Sequence, residues 1–385
     1  MKKLLALLLA FAMVFALCAC GQTAAPAAAP AAAPAEESAE APAEEAAAPE
    51  EPVYSYIAPE GSVPAEKASS SPIKIKVTTT HKPGAASYEM EQFMLEELTE
   101  KDTEGWFELE LYDSGTLYKT DAELPAILSH EVAMSFIQPS FFYDNGLEWA
   151  NMLDMGYLFD SVEHLEATFD PAGEIGGYLQ QALWDEFHVM TFGCEYIGTR
   201  NLWLHDYKEI NTPDDVKGLT IRMPTSASYV QLGNALGFNV TPLDISEIYL
   251  AMETGLIDGH ENQAPSTYSQ GQFEVTSTLI FLEHMIAPNF VTLDGDVWDK
   301  MTAEQQDLFY TCMRNAIAKT NAYVKDYEQE LFKIAEDEYG MKLQYPDKAA
   351  FKEQVQAYYL DNPDYSGKWD LDLLQKINEL GESMK

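Results

Sequence analysis

An arginine at the end of a strand is the first residue in this chain whose placement suggests chemistry. Leu219-Thr220-Ile221-Arg222-Met223 alternates as a strand, and Pro224 turns the chain out of it. Arg222 therefore sits at a strand end, where open α/β sheets usually hold ligands. A guanidinium presents a planar fork that matches two carboxylate oxygens, and each charge-assisted bond of this kind contributes roughly 1.5 to 3 kcal/mol. The alternative is a surface ion pair worth less than about 1 kcal/mol. Enzyme chemistry finds little support. The sequence has no Gly-x-Ser-x-Gly elbow, no glycine-rich phosphate loop, no HExxH or CxxC, and no Cys/His cluster at ligand spacing, so no metal or other cofactor is expected. Asp214-Asp215 could in principle do acid/base work, but such pairs arise by chance in a chain this acidic. His81 is one of the scattered histidines, which more often serve as hydrogen-bonded structural groups than as catalytic bases.

The chain has 385 residues, with 63 Asp and Glu against 23 Lys and Arg and a formal net charge of -40. That field excludes nucleic acid as a partner, because binding it needs clustered Lys and Arg. It also repels anions in general, so an anionic ligand would need local arginines to overcome the background at short range.

Several elements must position these residues. Ile73-Lys74-Ile75-Lys76-Val77 alternates as a strand, Met90, Phe93, Met94 and Leu98 follow helical spacing, and Phe107 to Leu111 alternates again. Glu131 to Ile137 reads as a strand, Tyr178 to Phe187 as a helix, and Val189 to Phe192 as a short buried strand. After Pro224 the pattern predicts a helix near Tyr229 to Leu236 and a strand at Phe238 to Val240. A further helix, with one face marked by Ile245, Ile248, Tyr249 and Met252, is capped by Asp244 or Ser246 and ended by Gly255. Thr302 and Gln305 make a capping box for a long helix from Ala303. The alternation predicts an α/β fold with mostly parallel sheets.

The N-terminal region carries other signals. Met1, Lys2 and Lys3 precede an apolar run from Leu4 to Leu17, too short for a comfortable membrane span, so residues 1–19 read as a signal peptide. Leu17-Cys18-Ala19-Cys20 resembles the bacterial lipobox, with Cys20 as the lipidated mature N-terminus; Cys18 fits less well beside bulky Leu17. Residues 20–71, rich in Ala, Pro and Glu, are expected to form a disordered tether of around 100 Å if fully stretched. Cys194 and Cys312, the only later cysteines, could pair or stay as thiols.

Four motifs recur in order. They are Tyr196-Ile197-Gly198-Thr199-Arg200, the run from Pro213 to Pro224 with Lys217-Gly218-Leu219-Thr220-Ile221-Arg222, the run from Ser246 to Gly255, and Ile257-Asp258-Gly259-His260-Glu261-Asn262. Together with Trp298 and the helix start at Met301 to Gln306, they resemble the DctP-type solute-binding subunit of tripartite ATP-independent periplasmic (TRAP) transporters. The resemblance covers about Ile73 to Tyr345. It implies a two-lobed, periplasmic-binding-protein-like α/β fold over 72–385, with hinge strands and a long connecting helix. Lobe 1 would comprise about 72–197 and 286–325, and lobe 2 about 198–285 and 326–385.

The same resemblance assigns roles. Arg222 would grip a ligand carboxylate, Arg200 would be a second cationic contact, and the Asn262 amide would complete the ligand shell. Gln138 and Thr80, the latter beside His81, would add polar contacts from the other lobe. For Arg200 the alternative is a loop arginine bonding backbone carbonyls, and for Asn262 a turn residue. Gln263 replaces a common proline, Lys119-Thr120 replaces a more usual acidic or glycine stretch, and Ile245 stands where many relatives carry an aromatic. Phe141, Phe142, Tyr143 and Trp203 are candidates for a larger apolar lining.

The function implied is reversible capture of a small organic acid by hinge closure, without chemistry, and delivery to the small and large TRAP membrane subunits. The protein would sit on the outer face of the bacterial cytoplasmic membrane through Cys20, or in the periplasm. The alternatives are a binding protein for an ATP-driven importer and a secreted enzyme.

Overall fold

A computed structural model describes Tyr54 and residues 56–385. The expected signal peptide, Cys20 and most of the expected tether lie outside the described residues. Among the described residues one sheet holds nine strands: β1 Ile73–Thr78, β2 Phe107–Tyr112, β3 Met134–Ile137, β4 Val189–Leu204, β5 Thr220–Met223, β6 Asn239–Pro242, β7 Gly259–Gln263, β8 Thr278–Asp294 and β9 Lys342–Gln344. The spatial order is β2-β1-β3-β8-β4-β7-β5-β6, with β9 pairing β8 beyond this path. β1 pairs in parallel with β2 and β3, and β5 pairs in parallel with β6 and β7. β8 and β4 join the two groups as antiparallel partners. The architecture is thus two parallel α/β lobes connected by two long crossing strands, as expected.

The alternation in β1 has a direct physical cause. Ile75 and Val77 are fully buried and pack in one core cluster with Met90 and Met94 of the helix Ala86–Lys101 and with Phe309 and Met313 of the helix Ala303–Asp337. Lys74, on the opposite face just before Ile75, points to solvent and pairs with Glu110 at 2.8 Å. The helix Ala303–Asp337 has 35 residues, about 52 Å at 1.5 Å per residue. The Thr302 hydroxyl accepts from Gln305 N at 3.3 Å, and Thr302 N donates to Gln305 Oε1 at 2.9 Å, closing the expected capping box. This helix packs on Ala86–Lys101, on β4 and on the helix Ala264–Ser269, so it runs behind both lobes.

Four expectations need correction. The expected strand at Val189 to Phe192 continues to Leu204, and β3 starts at Met134 rather than Glu131. The boundary expected at residue 71 moves back, because Tyr54 and Tyr56 anchor the preceding segment to the domain. The Tyr56 ring packs against Trp298 and Tyr310, its hydroxyl donates to Gln306 at 2.9 Å, and Arg314 lies 4.9 Å from the centroid of the Tyr54 ring. Two aromatic side chains in an Ala/Pro/Glu segment bury enough apolar surface to hold it. Finally, the C-terminal helix Leu371–Ser383, placed by sequence with the second lobe, packs on Val162–Phe169 and Glu174–Phe187, where His164 Nε2 meets Ile377 O at 2.8 Å. Cys194 and Cys312 are buried, and no disulfide joins them.

Candidate functional site

The C-terminal ends of β1 and β3 in one lobe, and of β5 and β7 in the other, face a single narrow cleft. Parallel strands put their following turns at one edge of the sheet, so two groups arranged about the β4/β8 pair bring two such edges together. Thr80 and His81 enter the cleft just past β1, Gln138 just past β3, Arg222 from β5, Asn262 from β7 and Arg200 from the crossing strand β4. All five residues singled out from sequence therefore line one cavity, with His81 and Phe141 beside them.

Arg222 is 4% exposed. Its Nε donates to the Leu243 carbonyl at 2.9 Å, and among the described residues no carboxylate lies within ion-pair distance of its guanidinium. Burial, helped by the Arg200 charge, outweighs the opposing pull of the Glu261 and Asp244 carboxylates and brings its pKa down to about 10, the direction expected of a desolvated cation with no carboxylate in direct contact. Nearby, the Asn262 Nδ2 donor and the Gln138 Oε1 acceptor are buried without partners. Unpaired buried donors and acceptors are rare in proteins because each costs about 1 to 3 kcal/mol. Here two such groups line the same cleft as Arg222.

Arg200 differs. It is equally buried, but Glu261 holds it in a two-point pair, with Nε to Oε2 at 2.6 Å and Nη2 to Oε1 at 2.7 Å. Its Nη1 donates to Gln263 Oε1 at 3.0 Å, and its guanidinium carbon lies 4.8 Å from the centroid of the Tyr229 ring. His284 Nε2 reaches Glu261 Oε2 at 3.0 Å. Burial alone would raise the Glu261 carboxyl, yet Arg200 and His284 hold it well below the usual carboxylate range. The charge of Arg200 is answered within the protein, so its placement differs from that of an open cationic contact.

The remaining residues find specific roles. Thr80 Oγ1 lies 3.2 Å from Thr120 Oγ1. Burial, and then Arg200, pushes His81 down to about 4, so it is neutral and accepts from Ser87 N at 3.3 Å. Trp203 is fully buried, and its Nε1 donates to the Asn262 carbonyl at 2.8 Å, which fixes the strand that presents Asn262. Of the candidate aromatic lining, Phe141 faces the cleft, whereas Phe142 belongs to the core. The cleft also contains Thr225, Asp244, Ile245 and Gln263. Gln263 leaves the strand in place and Pro265 opens the helix two residues later, so the substitution noted in sequence leaves the local backbone regular. Sequence reasoning missed Glu261 and Gln263 as the partners of Arg200. Glu261 stood inside a recognised motif, but its strand had not been paired with β4. At the cleft mouth, Lys119 Nζ of the first lobe reaches Asp244 Oδ1 at 3.1 Å and Ser246 Oγ at 2.8 Å in the second.

Residues 79–362 match the DctP family of bacterial extracellular solute-binding proteins, family 7. The chain belongs to that family. Among curated relatives, a solute-binding protein of Chromohalobacter salexigens is 30% identical over 211 residues, which covers 54% of this chain and 61% of that protein. The sialic acid-binding periplasmic protein SiaP of Vibrio cholerae is 26% identical over 269 residues, or 69% of this chain and 81% of that protein. A crystal structure of a TRAP periplasmic solute-binding protein from Roseobacter denitrificans, with bound 3-deoxy-D-manno-oct-2-ulosonic acid, superposes with a TM-score of 0.75 at 28% identity. It covers 80% of this chain and 100% of that one. The DctP-family protein described here is thus a solute-binding protein and not an enzyme, and its fold is that of TRAP binding proteins. No helix among its described residues is long and apolar enough to cross a membrane.

Proposed function

We propose that this DctP-family protein is an extracytoplasmic lipoprotein, anchored through Cys20, that captures a small organic acid between its lobes and delivers it to a TRAP-type secondary transporter. The observation that carries the reading is Arg222, a buried guanidinium in the cleft with no carboxylate within ion-pair distance among the described residues. A ligand carboxylate would supply that counter-charge in a site already shielded from water, where an ionic hydrogen bond is strongest. Asn262 Nδ2 can donate to the same carboxylate or to a neighbouring oxygen, and the Gln138 Oε1 acceptor suits a ligand hydroxyl. Thr80 adds a hydroxyl from the first lobe, so closure would bring both lobes onto one ligand. Arg200 contributes positive potential and shape to the cleft while paired to Glu261. The relatives of known structure point the same way. Those from Sulfitobacter and Chromohalobacter, each 25% identical to this chain, hold galacturonate and glucuronate, acids with one carboxylate and several hydroxyls.

A thermal-shift screen against a panel of sugar acids, hydroxy acids and dicarboxylates, run beside Arg222→Ala, tests the reading. An acid at a hundred times its dissociation constant stabilises the fold by about 2.7 kcal/mol. An acid that shifts wild type but not Arg222→Ala supports the proposal. A response confined to neutral sugars or peptides contradicts it.

A further inference from the structure

Behind the cleft, on the opposite side of the crossing strands, a groove runs between β4, β8, the helix Ala303–Asp337 and the helix Lys348–Leu360. Glu328 lies in its floor, 3% exposed, on the long helix. One carboxylate oxygen accepts from the Thr199 backbone N–H at 2.8 Å, and the other accepts from the Tyr196 hydroxyl. That hydroxyl also lies 2.7 Å from Thr199 Oγ1. Two turns earlier on the same helix face, Asn321 Oδ1 accepts from Tyr196 N at 2.7 Å. Asn321 and Glu328 therefore grip the same short stretch of β4.

In that stretch the sheet guides the chain only loosely. The register of β4 against β8 shifts between Tyr196 and Gly198 and again between Arg200 and Leu202. Gly198 lies between the two shifts at φ +117°, and a Cβ there would come within 2.7 Å of Gln263 Cβ on the cleft side and 2.9 Å of Glu328 Oε1 on the groove side. This irregular stretch of β4 is thus clamped between a cleft residue and the carboxylate of the long helix. Two residues on, Arg200 enters the cleft.

We propose that Glu328 is a positioning residue: through Thr199 and Tyr196 it fixes the bulged Gly198–Thr199–Arg200 stretch of β4, and so sets the angle at which the two lobes meet across the ligand cleft. The inference rests on the cleft being the ligand site, as proposed above. It adds a residue on the far side of the hinge that touches no ligand. Its carboxyl, raised to about 7 by burial, can keep both contacts in either proton state: when Oε2 is protonated it donates to the Tyr196 oxygen, whose hydroxyl then donates to Thr199 Oγ1, while Oε1 still accepts from Thr199 N–H. An amide offers nearly the same pattern, accepting from Thr199 and donating to the Tyr196 oxygen, which is then free to donate to Thr199 Oγ1.

The test reads the lobes without a ligand. Spin labels at Leu117→Cys and Leu250→Cys, exposed positions in the two lobes, are placed in the full chain carrying Cys18→Ser and Cys20→Ser, and the distance distribution is measured by pulsed electron resonance. Glu328→Ala is expected to broaden the distribution about twofold, as a hinge loses its stop. Glu328→Gln should restore the wild-type width, and Tyr196→Phe should fall between them. A folded Glu328→Ala protein with wild-type width overturns the proposal, as does a Glu328→Gln protein as broad as Glu328→Ala. If Glu328→Ala does not fold, Tyr196→Phe decides, and wild-type width there overturns it. A second titration, with D-glucuronate and L-galactonate added, separates the two readings. Loss of any acid response contradicts the ligand assignment, while the unliganded widths still decide for or against Glu328.

Discussion

Arg200 and Arg222 line the same cleft, are buried to nearly the same degree and stand on strands separated only by β7, yet their surroundings differ. Arg200 has Glu261 at 2.6 Å, Gln263 at 3.0 Å and the Tyr229 ring beneath it. Arg222 has one backbone carbonyl. The direction of each pKa records the contrast: Arg200 is held above the ordinary guanidinium value despite burial, whereas burial lowers Arg222 to about 10. Burial alone does not mark a candidate binding group; a buried charge without a contacting counter-charge in a cavity is the feature on which the proposal rests. Arg222 thus keeps its guanidinium open to the cleft, whereas Arg200 is already paired within the protein.

The largest expected effect comes from breaking the complete side. Glu261→Ala leaves Arg200 buried without its counter-charge, which typically destabilises a protein by about 3 to 5 kcal/mol, and urea unfolding measures it. The same operation on the open side should go the other way. Arg222→Ala removes an unpaired buried cation, so unliganded stability should not fall, while affinity for a bound acid drops at least about a hundredfold, or about 2.7 kcal/mol. A fall in unliganded stability comparable to that of Glu261→Ala would erase the contrast.

The carboxylates sharpen it through pH. The carboxyl of Glu261 is depressed, so its contribution to stability is complete above the unfolded carboxylate pKa of about 4.3 and is lost as pH falls below that. Glu91, whose two oxygens have no hydrogen-bond partner, is raised to about 8 by burial and then by the Asp113 and Glu195 charges. Its sign is opposite. The folded state holds a proton that the unfolded chain releases, so stability falls by up to about 1.4 kcal/mol per pH unit as pH rises between about 4.5 and 8. Glu91→Gln should flatten that fall in chemical-denaturation curves taken across the window, and an unchanged slope would contradict the assignment. The smallest effect is expected at Trp203→Phe, which deletes the bond from Nε1 to the Asn262 carbonyl. The cost should be about 1 kcal/mol, read as a modest loss of acid affinity with little change in fold.

The fold was legible where burial is one-sided. Ile73, Ile75 and Val77 alternate with lysines because one face of β1 meets the core, and Thr302 with Gln305 announced the long helix through local hydrogen bonds. β8 gave no such signal. Nearly all of its residues are buried on both faces, so no alternation exists to read. β4 was read only as far as Phe192, because Gly193, Glu195, Gly198, Arg200 and Asn201 look like a loop in sequence. Their polar groups are satisfied by partners distant in the chain. Asn289 donates to Glu195 at 2.7 Å, Glu261 pairs with Arg200, and Asn201 Oδ1 accepts from Glu283 N at 3.0 Å. The site was more legible than the hinge. Arg222 stood before a strand-ending proline inside a motif, and the five candidates do converge on one cavity. The pairing of Arg200 with Glu261 depends on β4 lying beside β7, a contact between strands more than fifty residues apart that no local pattern encodes.

The central claim is that Arg222 is the counter-charge for a ligand carboxylate. Calorimetric titration of a bound acid and of its uncharged amide, into wild type and into Arg222→Met, tests it as a double-mutant cycle. Wild type should prefer the acid strongly, and the preference should collapse in the variant, with a coupling of about 2 kcal/mol or more. Equal preference for the acid in both proteins would contradict the account and would leave Arg222 as part of the scaffold.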